Sequence, residues 1–243
     1  MRIIFFTLFI LNSFCSFAQE DGYIIHYDNY VPNSTIKLNS ALVIVGYTSY
    51  YLVIPSNSHL KDENLQKFIK PPYVSVIKQM NENEIITREI NPENGAVLYY
   101  VREELKGLMN WQIQKEKKNI LGHTCQKAIG NYRGRSYVAY FSSKLAVPDG
   151  PFKFFNLPGL IFEIHSNDGF VKFSINSIKK VHLNIDHSSF DDLKSQYITY
   201  ELFKKQLKGI MTEKSKKYNA KGNVDEIGFK SSVSFDIERI EKE

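Results

Sequence analysis

His123 and Cys125 stand two residues apart in a stretch with strand character, so their side chains share one face. An imidazole and a thiol so placed can ligate a metal or form a thiolate–imidazole pair. Two ligands do not complete a site, and a third must be brought by folding from His26, His165 or His182. Cysteine is also among the most commonly buried residues, where it acts as a small apolar filler. Arg133 and Arg135 flank Gly134 and present planar donor forks suited to a carboxylate or phosphate, although hairpin arginines are often only solvated. His165 with Asp168 has the composition of a base and its orienting carboxylate, but Asp168 also sits where a turn favours aspartate. From Lys204 to Lys221 there are seven lysines against Glu213 alone, a cluster able to meet anionic lipid or to form a solvated helix face.

The most unusual stretch is Asp149-Gly150-Pro151-Phe152-Lys153-Phe154-Phe155-Asn156-Leu157-Pro158-Gly159-Leu160-Ile161. Three phenylalanines lie between two sharp turns, on a segment too punctuated to be a helix. In Leu157-Pro158-Gly159-Leu160, proline presets the φ of the second turn position and glycine supplies positive φ at the third, the signature of a type II turn. Leaving three rings in water forfeits roughly 1.5–3 kcal/mol each. The loop therefore either folds inward and fills an apolar concavity, or its rings line a recess for an apolar ligand or partner. In the second case Arg133, Arg135, Phe152, Lys153, Phe154, Phe155, Leu157, Pro158 and Gly159 are the candidate binding residues, with Lys153 placed to meet an anionic group. Trp111 reads as a core anchor or, less simply, as a stacking platform.

Several segments share one further property. Trp111, the run Ile120-Leu121-Gly122-His123-Thr124-Cys125-Gln126-Lys127-Ala128, Arg133-Gly134-Arg135 with Tyr137, and Gly150-Pro151-Phe152-Lys153-Phe154 followed by Leu157-Pro158-Gly159-Leu160-Ile161 occur in the order in which they occur in the GLPGLI family. The chain resembles that family of exported Bacteroidota proteins most strongly from Trp111 to Glu163. Asn156 stands where the family has its first glycine, and asparagine tolerates left-handed φ. The resemblance implies an envelope location and a β-rich fold. It implies no reaction, because the family has no settled activity.

The elements that must position these residues are mostly strands. Tyr23–Tyr27, Ala41–Val45, Ser49–Ile54, Tyr73–Gln79, Glu84–Ile90, Val97–Glu103, Asn110–Lys117, His123–Asn131, Ser136–Ser142, Leu160–His165 and Phe170–Ile178 are rich in β-branched and aromatic residues and are separated by turn residues. Arg133-Gly134 and Asn167-Asp168-Gly169 are hairpin signals. Residues 58–69 have helical spacing and end at Pro71-Pro72. From Phe190 to Met211 apolar residues recur every three or four positions, which predicts a long amphipathic helix. A last strand is expected over Ser232–Ile237.

Residues 1–18 read as a secretory signal peptide: Arg2, an apolar run from Ile3 to Leu11, and Ser16-Phe17-Ala18 before the expected cut. Cys15 does not form a lipobox, because Phe14 precedes it where a small residue is required. Only Cys125 then remains, so no intramolecular disulfide can form. No later apolar run approaches the roughly 20 residues of a membrane-spanning helix. Loss of Arg2 changes the formal net charge from +5 to +4, too small and too dispersed for nucleic acid.

Residues 19–243 are expected to form one α+β domain, a large, curved, mainly antiparallel sheet with the long C-terminal amphipathic helix covering apolar surface and a short helix near residues 58–69. The sequence has no phosphate-binding loop, no G-x-S-x-G and no H-E-x-x-H, and implies no cofactor and no metal. The leading functional expectation is a non-catalytic periplasmic or outer-membrane-associated protein that binds an apolar or amphipathic small molecule, lipid or peptide, or docks on an envelope protein. The rivals are a thiol- or metal-dependent hydrolase using Cys125 and His123, and an accessory of an outer-membrane transporter.

Overall fold

Alternating and continuous apolar runs become strands close to where the sequence places them. In the computed structural model, residues 20–30, 37–54, 62–90 and 97–219 are described. The expected signal peptide and the strand expected over Ser232–Ile237 lie outside them. The strands are β1 (Glu20–Tyr30), β2 (Lys37–Val45), β3 (Thr48–Ile54), β4 (Val74–Gln79), β5 (Glu84–Ile90), β6 (Val97–Glu104), β7 (Asn110–Ile120), β8 (His123–Tyr132), β9 (Arg135–Ser142), β10 (Leu160–Ser166), β11 (Lys172–Leu183) and β12 (Tyr197–Thr199). They form a 12-stranded sheet in the order β12, β6, β5, β4, β3, β2, β1, β11, β10, β9, β8, β7. Neighbours are antiparallel except β12, which runs parallel to β6.

Chain connectivity forces this sheet to curl. Strands β6 and β7 are consecutive in sequence but ten strand intervals apart in the sheet, which is roughly 48 Å if flat. Residues 105–109 join them, and the six Cα steps from Glu104 to Asn110 reach at most about 21 Å. The two ends of the sheet must therefore approach each other, although β6 and β7 are not paired. Contacts across the gap agree: Arg133, in the β8–β9 hairpin, forms an ion pair with Glu103 of β6.

Both faces of the sheet are covered. In β1, at its middle, Ile24 and Ile25 point to opposite sides and both are buried. On the inner side Ile25, Tyr27, Leu42, Tyr51, Val76, Tyr137 and Phe173 pack with the residues of the Phe-rich loop. On the outer side Ile24, Val43, Tyr50, Leu52 and Ile77 are covered by Leu65, Ile69, Phe190 and Leu193. Two-sided burial explains why β2 and β3 read as nearly unbroken apolar runs.

The helices depart from expectation. Of residues 58–69, the described residues 62–69 form α1 (Asp62–Leu65) and a 3-10 turn (Gln66–Phe68). The periodic run starting at Phe190 is not one helix: His187–Gln196 is 3-10, Tyr197–Thr199 is β12, and α2 spans Tyr200–Asn219. Short polar side chains compete with helical backbone bonds in the first part. The Asp186 carboxylate accepts from Ser188 N (3.0 Å), Ser189 Oγ donates to Asp186 O (2.9 Å), and Ser195 Oγ donates to Asp192 O (3.3 Å). Ile198 and Thr199, β-branched, then take the open edge of β6. Thr199 Oγ1 accepts from Leu202 N (3.3 Å) and starts α2. Through Phe203 and Leu207 the helix packs on Val101 at the edge of the inner face. The class is accordingly mainly β rather than α+β.

Because the described part of α2 is held by this small cluster and by Arg133 over the Tyr200 ring, Phe203→Ala combined with Leu207→Ala is expected to release it locally. Hydrogen exchange should rise in residues 200–209 while the amides of β1 and β11 keep their protection.

Candidate functional site

The Phe-rich loop lies inside the curl. Phe152, Phe154 and Phe155 are 3%, 0% and 4% exposed. Phe152 meets Tyr51 edge-on at 5.9 Å between ring centroids, and Phe154 meets Tyr137 at 4.9 Å and Phe173 at 6.2 Å. Trp111 Nε1 donates to Phe155 O (2.8 Å), so Trp111 anchors the loop to β7. Of the two outcomes open to the loop, the inward-folded one is seen, and Leu157 and Gly159 are buried with the rings while Pro158 is exposed.

The loop backbone is tightly specified. Asn156 sits at φ 68°, as its tolerance of left-handed backbone allows, and Asn156 Nδ2 donates to Met109 O (3.1 Å). The expected type II turn is not formed. Gly159 N donates to Leu157 O (2.7 Å), a tighter turn, and Leu160 N turns away to Leu145 O (3.0 Å). Gly159, at φ 153°, is required for a second reason: a Cβ there would lie 2.2 Å from Ser142 O.

Two buried lysines hold the loop to the sheet. Lys78 of β4 and Asp149 form an ion pair with both side chains buried. The ammonium also donates to Gly150 O (2.7 Å) and Phe154 O (3.4 Å), so three acceptors surround its three donors. Burial pulls the Lys78 pKa down, and Asp149 opposes this. Lys153, read from sequence as a receiver for an anionic ligand, is buried with Nζ 3.9 Å from Glu89 and 3.8 Å from Glu103. Sequence reasoning missed Lys78, whose signal is a single lysine directly after Val74–Ile77 in β4, on the same strand face as Val76.

The arginines are engaged within the chain. Arg133 pairs with Glu103 and lies 3.3 Å above the Tyr200 ring. Arg135 is buried, and its Nε donates to Asp168 Oδ2 (2.8 Å). Asp168 also accepts from Ser166 Oγ (2.6 Å) and Phe170 N (3.2 Å). Burial pushes its pKa up, but these hydrogen bonds and Arg135 outweigh that and bring it down to about 2. Asp168 is thus the hub of the β10–β11 turn and does not orient His165, which lies 3.7 Å from Glu163 instead.

Cys125 is buried in the inner core, and burial pushes its thiol up to about 11. His123 packs on the Phe162 ring at 5.0 Å. The three histidines that could have completed a ligand set are elsewhere: His26 on Asp62 (2.8 Å), His165 near Glu163, His182 on Asp21 (2.6 Å). Among the described residues no group of three His, Cys, Asp or Glu side chains is arranged to hold a metal ion. No described helix is long and apolar enough to cross a membrane.

An open recess of about 330 Å³ does exist, beside the loop's first turn. Its walls are the start of β1 (Asp21, Gly22, Tyr23), the β2–β3 turn (Gly46, Tyr47), Met80 and the strap Ala146–Asp149. Tyr47 is 75% exposed. A narrow apolar slot between Tyr23, Ile25, Ile44, Val147 and Leu160 adjoins it. None of the aromatic candidates taken from the loop lines either space.

No protein-family profile and no curated protein matches the chain. Two solved structures of PNGF-II, in space groups C2 and P21, are similar to it at TM-scores of 0.52 and 0.51, with 16% and 17% identity. Each match covers 74% of this chain and 31% of the PNGF-II chain. At that identity the likeness is one of fold, and this chain spans about a third of the PNGF-II length.

Three outcomes follow from the geometry. Lys78→Met strands Asp149 in the core and should destabilise by about 3–5 kcal/mol in urea titrations, while Lys78→Met with Asp149→Leu recovers part of that loss. Cys125 should stay unlabelled by a thiol reagent at neutral pH until the protein is unfolded. Asp168, with its folded pKa below the ordinary 3.8, contributes stability above that value which is lost as pH falls through about 2. Because its side chain is 27% exposed, the contribution is about 1 kcal/mol. Urea midpoints of Asp168→Asn and the unsubstituted protein should differ at about pH 5 and converge toward pH 2.

Proposed function

We propose that this chain is an exported, non-catalytic envelope module of the GLPGLI type that binds an apolar or amphipathic ligand in the recess beside Tyr47 and Val147. The observation that carries this reading is the placement of the recess. It is mostly apolar, open to solvent, and walled by the strap that leads into the loop anchored by Lys78. A flexible surface depression would not hold its shape for a ligand; this one is backed by Asp149, whose position is set by Lys78 and by Gly150 N, which donates to the Asp149 carboxylate (2.7 Å).

The thiol-dependent hydrolase reading would have to use a poor nucleophile, since Cys125 is buried and its thiol is pushed up to about 11. Docking on an envelope protein, including a transporter, uses the same exposed Tyr47 and is a different outcome of the same experiment.

Native mass spectrometry of the protein purified from its own periplasm should find a lipid or other amphiphile bound at one copy per chain. Tyr47→Ala together with Val147→Trp should abolish it. Recovery of the protein with neither ligand nor partner would remove the reading.

A further inference from the structure

We infer that Lys78 of β4 and Asp149 of the Phe-rich loop condense into an isopeptide bond, a covalent staple between the sheet and its filler. The two side chains are in contact and are 0% and 3% exposed. An amine and a carboxyl group held together in a dry core react as parts of one molecule, at an effective concentration that no solution of the two reaches. Burial also acts against leaving the pair charged: both ions lose their hydration, whereas the amide that replaces them carries no charge. Burial pulls the Lys78 pKa down, toward the neutral amine that a nucleophile requires, although Asp149 opposes the shift. The bond joins residues 71 positions apart, and a cross-link across so long a loop restricts the unfolded chain strongly. Among the described residues Cys125 is the one cysteine and is free, so no disulfide serves this purpose.

The surroundings orient both reactants. The Lys78 nitrogen has three directions besides its bond to Cε. Gly150 O (2.7 Å) and Phe154 O (3.4 Å) take two of them, and the Asp149 carboxyl group takes the third. When the ammonium gives its third proton to that carboxylate, the lone pair left behind points at the carboxylic acid just formed. Gly150 N donates to Asp149 Oδ1 (2.7 Å), so a backbone N–H is already in place to hold the negative charge that grows on this oxygen during attack. The amine adds to Cγ, one nitrogen proton joins the proton already on Oδ2, and the Cγ–Oδ2 bond breaks as the carbonyl re-forms at Oδ1. One water leaves, and the amide keeps a single N–H for the two backbone carbonyls. Asp149 also lines the open recess, which gives that water an exit.

Mass spectrometry of the purified, folded protein, denatured just before measurement, decides the matter. The intact chain should be lighter than its sequence by one water. A tryptic digest should show a branched product, uncut at Lys78 and joined there to the peptide Leu145–Lys153 through Asp149. Lys78→Arg, which keeps the positive charge, and Asp149→Ala should each restore the full mass and abolish the branched peptide. Where either variant fails to fold, the digest of the unsubstituted protein decides alone. A folded protein of full sequence mass, with trypsin cutting after Lys78, overturns the inference. A cyclic imide at Asp149-Gly150 would also lose one water, but it opens in mild base and leaves Lys78 cleavable; that result overturns it as well.

Discussion

A twelve-stranded sheet whose two ends are tied by five residues has to roll up, and a rolled sheet has an interior that must be filled. Nearly everything else in this molecule is a response to that constraint. Side chains from the strands alone leave the concavity underpacked, and the chain supplies the filler as a single irregular segment between β9 and β10. Its rings interdigitate with Tyr51, Tyr137 and Phe173 in edge-on contacts. An irregular segment brings backbone polar groups into the core, where each must find a partner. Lys78 answers two of them, Gly150 O and Phe154 O, while neutralising Asp149. Trp111 answers Phe155 O, and Asn156 answers Met109 O. The buried charges are thus the means by which a loop is made compatible with an apolar interior.

This arrangement separates rigidity from accessibility. The aromatic segment goes into packing, and the open recess lies a few residues upstream, at the strap Ala146–Asp149 and the β2–β3 turn. Those residues are ordinary in sequence. Tyr47, Met80 and Val147 carry no motif, and they come together only because β1 to β4 are neighbours in the sheet and the strap crosses their ends.

The helical segments obey the same logic from the outside. Residues 62–69 and 187–196 cover the outer face over β1 to β5, whereas α2 packs on Val101 at the edge of the inner face. None forms a layer of its own. The sheet supplies the apolar surface, and short helical pieces close it.

Strand positions were legible because a β-strand buried on one or both faces must show its apolar residues in the sequence, and ten of the expected strands match within a few residues at either end. The hairpin at Arg133-Gly134 was legible for the same local reason, since positive φ restricts residue choice; both residues adopt it. Helical period from Phe190 onward was read correctly as amphipathic burial but wrongly as one helix, because serine and aspartate side chains and the open edge of β6 offered the backbone better partners. The roles of Arg133, Arg135, Lys153, Cys125 and His165 were not legible. Arg133, Arg135 and Lys153 meet Glu103, Asp168 and Glu89, which lie 30 to 64 residues away in the chain, and nothing local records the meeting. Residue types and their spacing thus decided the strands, the turns and the need to bury three rings. Only the rolled sheet decided that the rings became core, that a lone lysine in β4 became their anchor, and that the open recess fell elsewhere, because those outcomes depend on which distant segments the curl brings within a few ångströms.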